Sequence, residues 1–558
     1  MRHSIVPLAV LVVLPITYFA WRLGFLRKGR VLWVGGAAIA LLLAINLPFQ
    51  GVDFIYIKRL NLFIAAAAVL LMLLRYLEVP WILEPGKYLT VLVGLAVTSA
   101  VVYLNFFSFH GERTYIHYHD VAHYYLGSKY FRELGYTGLY TGMLRAEAEI
   151  YDNHFKAIKV RDLSTGERVH VRLLLEKSDP VKNAFTPERW LSFKKDVAFF
   201  RQALDRQYGK VLLDHGYNPT PFWAVLGGML ANRVPAGSHE GILILTLLDP
   251  LLLIGSFAAI GWAFGRQASL LSLILFCIVY GATFGWTGGA FGRYPWLFGV
   301  VVAMCCMKQN RYLLAGGLLA GASLLRIFPM FFLAGILFGS VGELIRARRV
   351  PSEHKRLLVS FAGTAMVLFL LTGVVFGGFQ VWEEFGKSID RHMDAVAPNL
   401  VGLTGVFAYQ DRPDSLTPEE FQEVIERRSR VYRIQLVTVF AATLLLIALM
   451  SQRQGDVAAS VMGILLLFTG LNLAAYYYVI LILFVMVYRD QADKLALIFG
   501  TEVLMYSLLL FEDREGLLYV YRSLLLLYLL TALYLEPIQA QIGRLTHLRF
   551  SSVLIKRP

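Results

Sequence analysis

The densest group of chemically capable side chains in this sequence is Thr114-Tyr-Ile-His117-Tyr-His119-Asp120-Val-Ala-His123-Tyr124-Tyr125. It sets one acid among three histidines and flanks them with tyrosines. Three readings fit these residue types. Asp120 can act as a general base at the mouth of a membrane-embedded pocket, with His123 one helical turn away to orient it. The run His117, His119, Asp120 and His123 offers borderline nitrogen and oxygen ligands to a divalent metal, although it matches neither HExxH nor a paired Cys/His spacing. A solvated loop with tyrosines anchoring the interface is the plain alternative. Two arginines widen the chemistry: Arg293 in the turn GRYPW, and Arg326, which ends a short apolar segment just before Ile-Phe-Pro329. A guanidinium beside hydrocarbon costs about 2.5–3.5 kcal/mol, so it ordinarily has a partner, a function or a route to the headgroups. Arginine suits bidentate contact with a phosphate. Further along, His392 and Asn399 sit in RHMDAVAPNLVGLTGVF. That segment reads as a flap closing over the site or as an ordinary amphipathic helix and turn. Tyr476-Tyr477-Tyr478 beside Asn472 reads first as helix packing and interface anchoring, and second as a sugar-stacking surface.

The elements that must position these groups are mostly membrane spans. Of 558 residues, 57% are hydrophobic and only 16% charged. Soluble domains average about 45–50% apolar and about 25% charged, and a single core stops growing near 250–300 residues. Mean hydropathy is +0.58. These figures exclude a soluble enzyme, a disordered chain and a nucleic-acid binder, and predict an all-α polytopic membrane protein. Apolar runs near 5–24, 31–50, 60–78, 87–107, 239–263, 268–288, 294–307, 327–345, 357–377, 433–450, 456–471, 473–488, 494–511 and 517–536 predict about 13–15 transmembrane helices, and a shorter run at 312–325 is not expected to cross completely. The first run lacks a cleavage site and is read as a retained span. Cys277, Cys305 and Cys306 all lie in apolar runs, so no disulfide framework is expected.

Orientation follows from basic residues in short loops. Arg22, Arg27, Lys28 and Arg30, then Arg346, Arg348, Arg349, Lys355 and Arg356, then Arg544, Arg549, Lys556 and Arg557 mark one side as cytoplasmic. The opposite short loops carry only Lys58, Arg59, Arg293 and Arg514. The chain therefore divides into N-terminal helices 1–107, an extracytoplasmic loop 108–238, a transmembrane core 239–377, a second extracytoplasmic loop 378–432, and C-terminal helices with a basic tail 433–558. The first loop should hold a small α+β insertion. KAIKVRDLSTGERVHVRLL alternates about an STGE turn, which predicts a basic β-hairpin at 157–173. Thr186-Pro187-Glu188 opens an amphipathic helix to about Tyr208, and Thr417-Pro418-Glu419-Glu420 forms a capping box. The hairpin is open to two readings, an acceptor-binding addition or a solvated charged face. No GxGxxG and no Walker loop appears, so nothing visible cradles a nucleotide.

The run from Asp120 through VAHYYLGSKYFRELG to YTGLY140 resembles the first-loop signature of the GT-C superfamily of membrane glycosyltransferases. It is most similar to the members that use polyprenyl-phosphate-mannose, where an Asp precedes a YY-containing helix and a G-x-x-LY turn. GYNPTPFWAVLGGMLANRVPAG is similar to that family's Y-x-P-P helix, with Asn218-Pro219-Thr220-Pro221 replacing the paired prolines. GAFGRYPWLFGVVVAMCCMKQNRYLLAGGLLAGASLLRIFPMFFLAG resembles the stretch from a Gly-rich turn to a Lys/Arg-x-x-Pro break. The likeness covers about 110–345 in order, weakens beyond 345, and leaves the first three spans as extra.

The resemblance implies a GT-C-like fold in a bacterial inner (cell) membrane, with the active site on the periplasmic side. It implies inverting transfer of a sugar, mannose-like or pentose, from a polyprenyl-phosphate donor to a glycan or lipid acceptor. Asp120 takes the place of the family's catalytic Asp, with His123 orienting it. Arg326 and Arg293 would then hold the leaving phosphate, while His117, His119, Tyr124, His392 and Asn399 are substrate-contact candidates. Family members are often metal-independent, so no cofactor is expected; a divalent metal at His117/His119/Asp120/His123 is the alternative. Membrane lipids are partners and nucleic acid is not. A transporter or flippase of lipid-linked sugars is the competing function, using the same cations without bond cleavage. A non-catalytic assembly subunit is the third.

Overall fold

The computed structural model describes residues 54–554, apart from 111–113, 395–398, 412–415, 418–419, 422–423, 425–426, 429–430 and 453. The expected spans near 5–24 and 31–50 lie outside the described residues. The rest is mostly helical, with two small two-stranded sheets. Each expected apolar run within the described residues is helical over most of its length.

Among the described residues, seven helices are long and apolar enough to cross a membrane: Ile55–Tyr76, Pro85–Tyr103, His239–Phe264, Phe328–Ala347, Ser352–Phe376, Arg433–Ser451 and Glu515–Glu536. The chain is therefore membrane-integral. Other runs expected to span are shorter helices, among them Arg266–Ile278, Pro295–Lys308, Asp456–Gly470 and Ala475–Tyr488, and Tyr312–Leu325 is short as its sequence implied. At 1.5 Å per residue a 14-residue helix reaches only about 21 Å, short of the ~30 Å hydrocarbon layer. The run 268–288 breaks at Val279, beyond which come a 3-10 turn and the four-residue helix Phe284–Thr287. Burial separates the two groups. Ser352–Phe376 and Arg433–Ser451 keep only 11% and 22% of their most apolar stretch inside the protein. Val359, Met366, Val374 and Ile434 stay more than half exposed. A contiguous apolar surface of this kind belongs against lipid. Pro295–Lys308, by contrast, buries most of its residues, Cys305 and Cys306 included, and is an inner helix.

The first large loop builds a core of its own. Val121, Tyr125, Tyr130, Tyr140, Phe193, Phe200, Tyr208 and Tyr217 are its fully buried centre. Helix Gln380–Asp394 of the second loop joins it through Val381 and Phe385. The hairpin forms, but more briefly than expected: Lys159–Arg161 pairs antiparallel with Arg168–His170. His170 Nδ1 then accepts the Arg172 N–H and caps a helix over Val171–Glu176. A side-chain cap on an orphan N–H favours helix where alternation alone suggested strand. Thr186 caps Pro187–Leu204 as expected, accepting from Arg189 N at 3.3 Å. The Thr417/Glu420 capping box is also present, with Thr417 N donating to Glu420 Oε2 at 2.8 Å and Glu420 N to Thr417 Oγ1 at 3.3 Å.

Candidate functional site

Helix Tyr118–Lys129 begins where His117 Nδ1 accepts the backbone N–H of Asp120 at 3.2 Å. His117 in turn donates its own N–H to Gly289 O at 2.9 Å. Gly289 has φ +66°, and a Cβ there would meet Tyr115 O at 1.9 Å, so only glycine lets the two strands of backbone approach. Burial presses the His117 imidazole down to about 3, only partly opposed by Asp120. A neutral ring is what an acceptor cap requires.

Asp120 faces the transmembrane bundle. Arg293 Nη2 donates to its Oδ2 at 2.7 Å, with side-chain exposures of 12% and 19%. Burial would raise the Asp120 carboxyl, but Arg293 above all, then His117, outweighs it and holds the group below the usual carboxylate range. Arg293 is fixed from behind: Asp249 accepts the backbone N–H of Arg293 at 2.9 Å and of Tyr294 at 3.0 Å. Its guanidinium lies 4.9 Å from the Tyr476 ring centre, a cation–π contact.

One turn beyond Asp120, Tyr124 accepts from Arg326 Nη2 at 2.6 Å. Arg326 ends helix Tyr312–Leu325 in an extended conformation, and a 3-10 turn over Phe328–Leu333 follows, the break expected from Pro329. Tyr124 and Tyr476 each interact electrostatically with both arginines. The helix Pro221–Ala231 is tied to the same place, because its cap Thr220 donates through Oγ1 to Leu324 O. Around Tyr124 stand the rings of Tyr217 and Trp223, at 6.3 and 6.0 Å between centres. Arg293 Nε, Tyr217 Oη and Trp223 Nε1 are buried and have no hydrogen-bond partner among the described residues. Each is a donor that a bound group or a water can use.

Several expected site residues lie together and several do not. Asp120, Tyr124, Arg293 and Arg326 form one cluster, with Tyr476 added from the tyrosine triplet. Asn399 is near it through the backbone: its carbonyl accepts Ala475 N–H at 3.1 Å, beside a short antiparallel pairing of Leu400–Val401 with Leu473–Ala474. His392 falls in helix Gln380–Asp394, and its side chain lies outside the described residues. His123 does not hydrogen-bond Asp120. Its Nε2 lies 2.7 Å from Tyr140 Oη and 3.2 Å from Val211 O, on another face of the helix. His119 shares that face, with Nε2 at 3.0 Å from Asp214 Oδ2. Asp120 is oriented by His117 and Arg293 instead.

The four-residue metal set therefore separates. His117 is spent as a cap and Asp120 pairs with Arg293, while His119 and His123 approach Asp214. Two acids were missed by sequence reasoning. Asp249 carried a usable signal, since an acid inside an apolar run usually has a function. Asp214 carried none, being one of many polar residues in a long loop. No protein-family model, curated protein or solved structure matches the chain.

Proposed function

We propose that this chain is a membrane glycosyltransferase that moves a sugar from a polyprenyl-phosphate donor to an acceptor hydroxyl, with inversion. The observation that carries the reading is the cluster itself: an ionised carboxylate, two half-buried guanidinium groups and unpaired buried donors, set where inner helices meet the outer unit. Asp120 removes the proton from the acceptor hydroxyl. The freed oxygen forms a bond to the anomeric carbon from the face opposite the phosphate. The bond from that carbon to the phosphate oxygen breaks, and its electron pair leaves with polyprenyl phosphate. Arg293 and Arg326 stabilise the leaving charge, most strongly in a site screened from water.

The Asp120–Arg293 pair also supports a switch in basicity. While Arg293 donates to Asp120, the carboxylate is a weak base. A phosphate that takes part of Arg293's hydrogen bonding raises the proton affinity of Asp120 at the moment the acceptor needs a base. The donor's tail needs no pocket of its own, because it dissolves in the bilayer and only its headgroup requires charge.

Sidedness rests on one helix. Phe328–Ala347 starts just after Arg326 and leads at its other end to Arg346, Arg348 and Arg349. With positive charge inside, the Arg326 end is extracytoplasmic, periplasmic in a bacterial inner membrane. The resemblance of 110–345 to polyprenyl-phosphate-mannose-dependent GT-C enzymes points the same way. Purified protein in lipid nanodiscs, given a labelled polyprenyl-phospho-sugar and a glycan acceptor, should release free polyprenyl phosphate. Movement of intact donor across the bilayer without release would replace this reading by lipid-linked sugar transport.

A further inference from the structure

His119 and His123 are four residues apart on helix Tyr118–Lys129, which sets both rings on one face, 5.2 Å between centres. Asp214 enters from the turn after the short helix Tyr208–Val211. One ligand atom from each of the three lies within 4.8 Å of the other two. A tetrahedral zinc ion with bonds near 2.0–2.1 Å wants such atoms about 3.3 Å apart, which side-chain rotation from this starting point can supply. His119 Nε2 and Asp214 Oδ2 are already 3.0 Å apart.

The surroundings resemble a metal's outer shell. His123 Nε2 lies 2.7 Å from Tyr140 Oη, which can accept, and 3.2 Å from Val211 O, which can only accept. With the proton on Nε2, the Nδ1 lone pair is left for a cation, the arrangement by which metal-bound histidines are usually oriented. Asp214 Oδ1 accepts the His215 backbone N–H at 2.8 Å, which fixes the carboxylate plane. His119 and Asp214 are 33% and 44% exposed, so an ion can arrive from water.

We infer that His119, His123 and Asp214 bind one divalent transition metal, with Zn2+ the best match to two imidazoles and a carboxylate. Asp120 points to Arg293 from about 100° around the helix relative to His119 and about 60° relative to His123, so the ion sits outside the transfer chemistry. Its work is positioning: it pins the first turns of the Asp120 helix to the turn at 211–216 and leaves one coordination position to water.

Metal content decides this independently of any transfer activity. Full-length protein is stripped with chelator in detergent, then titrated with Co2+ and competed with Zn2+. Wild type should show one equivalent of Co2+ with visible absorption of low-symmetry coordination, displaced by Zn2+. Asp214→Asn, which keeps the shape, and His119→Asn should each weaken binding at least tenfold, while His239→Asn should not. His119→Cys should restore binding and add a near-ultraviolet thiolate-to-Co2+ band, a gain of signal that folded wild type, with Cys277, Cys305 and Cys306 buried, does not give. Wild type without a stoichiometric Co2+ spectrum overturns the site. So does binding unchanged in Asp214→Asn and His119→Asn, or a His119→Cys protein that binds Co2+ without the thiolate band.

Discussion

Helix Tyr118–Lys129 carries two ion pairs of opposite character, one buried and one half-buried. Lys129 and Asp196 meet at 2.9 Å with exposures of 5% and 0%. Asp196 also accepts from Tyr130 Oη at 2.7 Å, Tyr125 Oη at 3.4 Å and Gly237 N at 2.7 Å, and Lys129 donates to Val234 O at 3.0 Å. That network leaves little for a ligand to do. Asp120 and Arg293 form an equally short pair, yet Arg293 Nε and the nearby Tyr217 Oη and Trp223 Nε1 stay unpaired. A satisfied buried pair holds a fold together, whereas an unsatisfied one keeps bonding capacity in reserve. On the proposed function, structure falls to one end of the helix and chemistry to the other.

The largest expected effect on stability falls at the satisfied pair. Asp196→Asn strands the Lys129 ammonium and should cost about 3–5 kcal/mol, read as a lowered unfolding temperature or lost expression. Transfer per folded molecule should hardly change. At the other end, Arg326→Ala should cut transfer by about 10²-fold, chiefly through donor use, while unfolding stays near wild type. Arg326→Lys should recover part of the loss, since it keeps the charge and gives up the bidentate fork. If both sites lost stability and activity in parallel, the distinction between them would fail.

Smaller effects sharpen the boundary. Thr220→Val removes the helix cap and the tie to Leu324 O, so it should cost about 1 kcal/mol and also disturb Arg326. The combined readout marks the cap as shared between fold and site. The outer unit should answer to acid. Burial would raise Glu149, but Lys182, Trp190 and Lys194 outweigh it and draw the carboxyl down to about 2. Its folded value lies below the unfolded one of about 4.3, so its contribution is complete above that pH and fades as pH falls toward 2. Thermal melts across this range should show a drop that Glu149→Gln reduces.

Much of this architecture was legible in the residues. The apolar runs, the Thr186 cap and the Thr417/Glu420 box follow from local rules that act within a few residues. Which of the apolar helices cross and which stay inside was not legible, because hydropathy is the same whether an apolar face meets lipid or another helix. Pro295–Lys308 is greasy enough to span and too short to do so unaided. The site was legible in its parts: Asp120, Arg293 and Arg326 each stood out by charge beside apolar sequence. Their meeting across about 170 to 200 residues is a tertiary fact, and only the shared predicted side hinted at it. The assignment of His123 as Asp120's partner failed for a geometric reason. Three and four residues separate nearby faces of one helix, and here the tighter contacts of Tyr140 and Val211 claim the ring.

The most direct test is release of polyprenyl phosphate from a labelled polyprenyl-phospho-sugar by Asp120→Asn protein in nanodiscs, with its melting temperature recorded alongside. The general-base role predicts a fall of about 10²–10⁴-fold in release with little change in melting. Release at a near-normal rate by well-folded Asp120→Asn protein would contradict it.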